Sequence, residues 1–234
     1  MKLHKIAGLY VGLEYIHDLM KARAPKYESK DRPDIIDIVI SSTPETVKSV
    51  KKVYPALTDS ECEYLYTGAC FYNCLIDFNG FMLHSSAVVY NGGAYLFSAD
   101  SGTGKSTHTQ LWLEAFGDEA KILNDDKPAL RIMDDGIYAF GTPWSGKNDI
   151  NEDIKVPLKG ICFLHRSEKN EIKRVEAKEV VAEMIKQVQR PTDVRRVDKL
   201  FANMEVLLNQ VPVYRLGCNM DLEAAHVAYN GMKG

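Results

Sequence analysis

Apolar residues follow two spacings along this chain, and each spacing predicts a different kind of element. Short runs rich in β-branched and aromatic residues predict strands. These segments are residues 3–15, 35–40, 81–90, 94–98, 122–123, 138–140, 156–164 and 213–216. Apolar residues three or four positions apart predict amphipathic helices. These segments are residues 59–75, 105–116, 180–188 and 197–208, and a last helix begins at about residue 221.

The order of these segments predicts an α/β fold in a single domain. A chain of 234 residues has the length of one domain with a substantial core. We expect residues 1–78 to form a β-rich N-terminal portion with a bridging helix. Residues 79–234 should form the sheet core with its C-terminal helices. The pair Asn91-Gly92 separates two apolar runs and predicts a hairpin, because its tight turn needs positive φ angles.

Composition and charge argue against nucleic acid and membranes as binding partners. A formal net charge of −3 offers no overall attraction for nucleic acid or for an anionic membrane. No segment approaches the roughly 20 apolar residues of a membrane span, and the first residues lack the apolar core of a signal sequence. The five cysteines lack the spacing of zinc sites, which predicts free thiols. We therefore expect a cytoplasmic protein with a small-molecule or protein substrate, and its oligomeric state stays open.

A glycine-rich segment predicts a phosphate-binding loop of the Walker A type. Residues 99–106 read Ala-Asp-Ser-Gly-Thr-Gly-Lys-Ser and stand between a predicted strand and a predicted helix. Backbone N–H groups of such a loop, with the N-terminus of the following helix, bind polyphosphate. We expect Lys105 to bridge the β- and γ-phosphates and Ser106 to place its hydroxyl on Mg²⁺. The predicted nucleotide-binding residues are Ser101, Gly102, Thr103, Gly104, Lys105, Ser106 and Thr107.

Two adjacent carboxylates follow this loop closely. Asp125 and Asp126 end an apolar run shortly after the predicted helix. One of them can hold Mg²⁺ while the other accepts the proton of an attacking hydroxyl as general base. A solvent-exposed Asn-Asp-Asp turn is the structural alternative. His84 lies between two apolar stretches, where a histidine can also be an ordinary core residue.

In their order and spacing, His84, residues 99–106 and residues 124–126 resemble the kinase domain of HPr kinase/phosphatase. They are more remotely similar to ATP-dependent phosphoenolpyruvate carboxykinase. The resemblance covers roughly residues 80–166. It implies a P-loop-containing mixed β-sheet of the HPr kinase C-terminal domain/carboxykinase type, with ATP as donor and Mg²⁺ as metal. It also implies catalytic roles for His84, Lys105 and Asp125, the last as base, and metal-binding roles for Ser106 and Asp126.

The chain departs from that family in the loop after the aspartates. The bifunctional enzyme has a Glu-Ile-Arg-Gly type segment there, whereas residues 141–147 read Gly-Thr-Pro-Trp-Ser-Gly-Lys. The missing glutamate argues against phosphorolysis and against HPr as the substrate. The chain looks most like short HPr-kinase-like proteins that phosphorylate hydroxyls of peptides or small molecules.

Three further residues are candidates for binding the substrate. Trp144 offers a flat ring and Lys147 a cation within the same loop, and a structural turn with a buried Trp144 is the alternative. Arg166 follows a predicted central strand, where it is a phosphate-binding cation or a surface arginine.

These features favour a kinase that transfers phosphate from ATP to a hydroxyl of a protein, a peptide or a small molecule. A nucleotide-dependent switch or ATPase module is the first alternative, although the chain has no Asn-Lys-X-Asp sequence for guanine. A carboxykinase-like lyase is the second alternative, but its extra metal and oxaloacetate ligands have no counterpart that the sequence reveals.

Overall fold

The computed structural model describes residues 1–233, and its first 78 residues combine three strands with three helices. The strands are β1 (Lys2–Ile6), β2 (Leu9–Glu14) and β3 (Ile38–Ser41). β2 pairs antiparallel with β1 and parallel with β3. The helices are α1 (Asp18–Arg23), α2 (Pro44–Val53) and α3 (Asp59–Leu75). α2 and α3 begin at capping boxes in which Thr43 and Thr58 accept backbone N–H groups.

A larger mixed sheet fills most of the remaining described chain. Its order is β4-β8-β9-β10-β6-β5-β7, with β12 paired to β10 and β11 paired to β12. The strands are β4 (Gly80–Met82), β5 (Ser85–Tyr90), β6 (Gly93–Ser98), β7 (Ala120–Asp126), β8 (Ala129–Met133), β9 (Gly136–Phe140), β10 (Lys155–Arg166), β11 (Glu171–Val175) and β12 (Val213–Cys218).

Helices cover both faces of this sheet. The helices are α4 (Lys105–Phe116), α5 (Ala177–Gln187), α6 (Val194–Gln210) and α7 (Glu223–Met232). Successive side chains of β10 point to opposite faces. Ile161 and Phe163 join the apolar cluster of α5 and α6, whereas Cys162 and Leu164 join the cluster of α4 and α7. β10 is therefore buried on both sides, which explains its almost continuous apolar sequence.

Strand directions bring several chain segments to one edge of the sheet. β10 is parallel to β6 and β12, and β5 is antiparallel to both β6 and β7. The carboxyl ends of β6, β7, β10 and β12 therefore lie at the same edge. At the start of β5, Ser85 is opposite both Ser98 and Asp126. Ligands of open α/β sheets bind outside such carboxyl ends.

The structure confirms most of the predicted elements of the core. The helices predicted over residues 59–75 and 105–116 have those bounds, and the Asn91-Gly92 hairpin joins β5 to β6. The five cysteines are free thiols, as predicted. α1, α2, β8 and β11 were not predicted. α1 to α3 make the N-terminal portion richer in helix than its predicted β-rich character. No helix within residues 1–233 has the length and apolar character to cross a membrane.

Candidate phosphate-binding and catalytic site

The segment between β6 and α4 forms an open, glycine-dependent turn. Gly102 has φ +77° and Gly104 has φ +120°, values that glycine adopts without steric cost. Gly104 is the N-cap of α4, and no side chain caps this helix. The first N–H groups of α4 therefore have no side-chain acceptor at the place where a helix favours an anion.

Lys105 lies at the first position of α4 with its ammonium turned back along the loop. Its Nζ donates to the carbonyl oxygen of Ala99 at 2.9 Å. Burial lowers the pKa of Lys105, and the charges of Asp126, Asp100 and Asp125 oppose that shift. The ammonium is therefore close to both carboxylates of β7 and is partly removed from water.

Asp125 is bound to β5 and α4 through neutral hydroxyls. The Ser86 hydroxyl donates to Asp125 Oδ1 at 2.7 Å, and the same hydroxyl is 2.8 Å from Thr109 Oγ1 on α4. Asp125 is 8% exposed. Its carboxylate is held in place by a chain of hydrogen bonds without a cation in that chain.

Asp126 has a different environment from its neighbour. Its Oδ1 lies 3.0 Å from His84 Nε2, and its Oδ2 pairs with the Lys127 ammonium. Burial alone would raise the pKa of Asp126, but the hydrogen bond from His84 and the charge of Lys127 together lower this pKa to about 2. Asp126 is therefore ionised at neutral pH.

His84 connects this carboxylate to a distant helix. Its Nδ1 lies 3.0 Å from Gln187 Oε1 at the end of α5. The Gln187 amide donates from Nε2 to Asp100 Oδ1 in the glycine-rich loop at 3.3 Å. His84 is half-buried at the site, so it is not the core histidine that its apolar flanks also allowed.

These groups surround one cavity of about 330 Å³. The predicted site residues on its wall are His84, Ser101, Gly102, Gly104, Lys105, Ser106, Thr107, Asp125 and Asp126. Ser86, which the sequence did not single out, also lines it. Thr103 instead lines a neighbouring cavity of about 450 Å³, which shares Gly102, Gly104 and Thr107 with the first.

Trp144 lies in the core, where it does not meet the cavity. The indole is 0% exposed, stacks on Phe71 at 4.9 Å between ring centroids and donates from Nε1 to Thr67 Oγ1 at 3.2 Å. A Cβ on Gly68 would lie 2.8 Å from the indole ring, so this glycine permits the close packing. Substrate binding by the ring does not fit these contacts, and the structural alternative does.

Lys147 and Arg166 each line a cavity that shares at least one residue with the cavity around Lys105. Lys147 is exposed and lines a groove that also includes Asp126. Arg166, at the end of β10, donates from Nη2 to the Gly102 carbonyl oxygen at 2.6 Å. Arg166 therefore contacts the glycine-rich loop directly, at the cavity that Thr103 lines.

The donor atoms at the cavity fit a magnesium ion that is shared with phosphate. Across residues 1–233, no group of three or more His, Cys, Asp and Glu side chains is arranged to hold a metal ion. Mg²⁺ is commonly bound by one or two carboxylates and completed by substrate phosphates and water. Asp125, Asp126 and the Ser106 hydroxyl offer such a partial set.

Sequence reasoning missed three polar residues that hold the site together. Ser86 contacts Asp125 only because β5 pairs with β7, which are not consecutive strands. Gln187 is 103 residues from His84, and no local pattern links the two. Lys127 directly follows Asp126, so its sequence position could have revealed it.

Comparisons with known proteins find one distant structural similarity and no match among families or curated proteins. No protein-family model matches the chain, and no curated protein matches it. Among solved structures, the Hpr(Ser) kinase/phosphatase from Coxiella burnetii is similar, with 11% sequence identity and a TM-score of 0.37. That match covers 64% of this chain and 88% of the other. The likeness is distant.

Proposed function

We propose that this protein is an ATP- and Mg²⁺-dependent phosphotransferase that phosphorylates a hydroxyl group. The observation that supports it best is the meeting of the glycine-rich loop, Lys105 and the pair Asp125 and Asp126 at one cavity. A loop alone would suit a switch, but the buried Asp125 and the half-buried Asp126 beside it also provide for an acceptor. The acceptor is a serine of a protein or peptide, or a small-molecule alcohol.

Different residues bind the triphosphate, hold the metal ion, orient Asp126 and accept the proton. The loop amides, the α4 N-terminus and Lys105 bind and neutralise the triphosphate. Ser106 and Asp126 would hold Mg²⁺, which supplies positive charge to the phosphate oxygens. His84 fixes the orientation of Asp126 through its 3.0 Å contact.

Asp125 is assigned the role of general base. It accepts from the neutral Ser86 hydroxyl, whereas Asp126 is engaged by His84 and by a lysine ammonium. The acceptor oxygen attacks the γ-phosphorus in line, the bond to the β–γ bridging oxygen breaks, and ADP leaves. The hydroxyl proton passes to Asp125 and then to water.

The test is mass spectrometry of purified protein with ATP, Mg²⁺ and a pool of hydroxyl metabolites and serine peptides. We expect a product that is one phosphate heavier, and its loss in Asp125→Asn. Calorimetry should show that Asp125→Asn still binds ATP, whereas Lys105→Ala weakens both binding and transfer. Near wild-type turnover by Asp125→Asn would overturn the base assignment. ADP without a phosphorylated acceptor would indicate an ATPase or switch, and CO₂ release from oxaloacetate a lyase.

A further inference from the structure

The carboxylate of Asp125 lines a second cavity besides the one around Lys105. This second cavity lies between α4, β7 and residues 148–150, and its volume is about 500 Å³. Ser106 and Asp125 line both cavities, so the two adjoin at the residue assigned as general base. Neither of the other two cavities described above includes Asp125. We call the cavity of about 500 Å³ the side cavity.

Asp125 has one oxygen atom that is free to accept a proton. Its Oδ1 accepts from the Ser86 hydroxyl, whereas its Oδ2 accepts no hydrogen bond within residues 1–233. Oδ2 is accessible to solvent, although the residue as a whole is only 8% exposed. A hydroxyl that enters the side cavity can therefore meet an unoccupied carboxylate oxygen.

The side cavity offers the acceptor a way to Asp125 that the nucleotide leaves open. In the proposed function the triphosphate occupies the cavity around Lys105, so the acceptor has to approach Asp125 from another side. The side cavity adjoins that position, and its volume lies within the range of about 300–1,000 Å³ that is typical of small-molecule sites.

The walls of the side cavity combine an apolar surface with unpaired amide groups. Leu111 and Ile122 are buried and contribute apolar surface. Gln110 and Asn148 are exposed, and their side-chain amides make no hydrogen bond within residues 1–233. A primary amide both donates and accepts hydrogen bonds. These two amides therefore suit a ligand with uncharged amide or hydroxyl groups.

The charged side chains on the walls of the side cavity are carboxylates. Asp125 and Glu114 line it, and no lysine or arginine does. Glu114 is exposed and forms no salt bridge within residues 1–233. Lys105 is near Asp125 but lines the neighbouring cavity, where the triphosphate would engage it. A carboxylate or phosphate on the acceptor would face like charges here without a cation to offset them.

We propose that the side cavity binds the phosphoryl acceptor, and that this acceptor carries its hydroxyl on an uncharged body with amide groups. The proposal rests on the function proposed above. The amides of Gln110 and Asn148 bind the uncharged body, and the hydroxyl reaches Asp125. The acceptor oxygen bonds to the γ-phosphorus, the bond to the β–γ bridging oxygen breaks, ADP leaves, and the hydroxyl proton passes to Asp125 Oδ2.

The test is isothermal titration with two probes that differ in one group. N-acetyl-L-serinamide is uncharged, whereas N-acetyl-L-serine carries a carboxylate. Both are titrated at low ionic strength with Mg²⁺ and the β,γ-imido analogue of ATP, which is meant to occupy the cavity around Lys105. A blocked peptide with an internal serine between alanines, titrated beside them, distinguishes a peptide segment from a small amide as the source of the hydroxyl.

Two variants with matched controls probe the walls. Gln110→Trp fills the side cavity from an exposed position of α4, and Gln210→Trp is its control at the exposed end of α6. Glu114→Lys reverses one charge of the cavity, and Glu205→Lys makes the same change at an exposed position of α6.

We expect the wild type to bind the serinamide at least about threefold more tightly than the acid, because exposed charges have effects of this size. Glu114→Lys should abolish or reverse this preference, and Glu205→Lys should keep it. Gln110→Trp should weaken binding of the serinamide at least about tenfold, and Gln210→Trp should not. The proposal is overturned by absence of binding of both uncharged probes, by equal binding of acid and serinamide, by an unchanged preference in Glu114→Lys, or by unchanged binding in Gln110→Trp.

The same reagents separate this inference from the proposed function. Titration of the analogue alone tests nucleotide binding first. Binding of the serinamide with the expected variant effects, but without any transfer from MgATP, would keep the side cavity as a ligand site and exclude the kinase. Transfer to hydroxyls at rates that Gln110→Trp does not change would keep the kinase and exclude the side cavity as the acceptor site.

Discussion

His108 lies in α4 one turn beyond the glycine-rich loop, with 2% of its surface exposed. Its Nε2 accepts from Trp112 Nε1 at 3.2 Å. Burial lowers the pKa of His108 from 6.5 to about 4. Between these values the unfolded chain binds a proton that the folded protein does not. The contribution of neutral His108 to the free energy of unfolding is therefore complete above about pH 6.5 and is lost as pH falls through about 4.

We predict that the free energy of unfolding falls by about 3 kcal/mol across this window because of His108. Urea unfolding at steps between pH 7 and pH 4 measures it, and His108→Gln should flatten the profile. His226→Gln, at an exposed position of α7, should leave the profile unchanged. If the free energy of unfolding fell equally with pH in the wild type and in His108→Gln, His108 would not be the cause of the fall.

In the proposed function, Gln187 would position His84 through their contact. Gln187 contacts His84 Nδ1 and Asp100 but does not line the cavity around Lys105. Gln187→Leu should lower kcat about 10- to 100-fold while the KM for ATP changes little, because misplacement of a catalytic group has effects of this size. Gln210→Leu, at the exposed end of α6, is the control. A rise in the KM for ATP with unchanged kcat would indicate a binding role instead.

At the scale of elements, the glycine-rich turn can be compared with the hairpin between β5 and β6. Gly102 and Gly92 have φ values of +77° and +72°, and a Cβ at either position would meet no atom within 4 Å. Alanine should therefore cost both sites about the same stability, of order 1 kcal/mol from the left-handed backbone. Only Gly102→Ala should also weaken nucleotide binding, because its Cβ would stand at the phosphate.

Thermal unfolding and ATP titration of the two glycine variants check this. Equal ATP affinities for Gly102→Ala and Gly92→Ala would show that the loop does not approach phosphate at Gly102.

Local patterns predicted the elements that carry a continuous signal. The apolar spacing of α3 and the apolar run of β10 are readable from neighbouring residues alone. α1 has six residues, too few to establish a helical period, and it was missed. The loop and the aspartate pair were found because each is a short motif.

The parts that sequence could not predict depend on strand pairing. Ser86 reaches Asp125 through the register of β5 with β7, and His84 reaches Gln187 across the end of α5. The burial of Trp144 also could not be predicted from local sequence. A loop tryptophan suits either a ligand or a core, and only the opposing Gly68 and Phe71 decide for the core.

At the scale of the whole molecule, one apolar cluster joins the N-terminal portion to the large sheet. It includes Ile6 and Val11 of the small sheet, Phe71 of α3, and Phe140 and Trp144 from the core. Arg131 of β8 adds a polar link by donating to the Ala7 carbonyl oxygen at 2.9 Å. Separating the two parts would expose this cluster, so they should unfold together.

Trp144→Ala tests this cooperativity, since its indole is fully buried in that cluster. We expect a loss of about 3–5 kcal/mol in the free energy of unfolding. Hydrogen exchange should speed up together for amides of β1 to β3 and of β6 and β10, because both would now exchange through the same global unfolding. Trp144→Phe keeps the packing on Phe71 and should lose much less. Faster exchange confined to residues 1–78 would instead show that the N-terminal portion opens by itself.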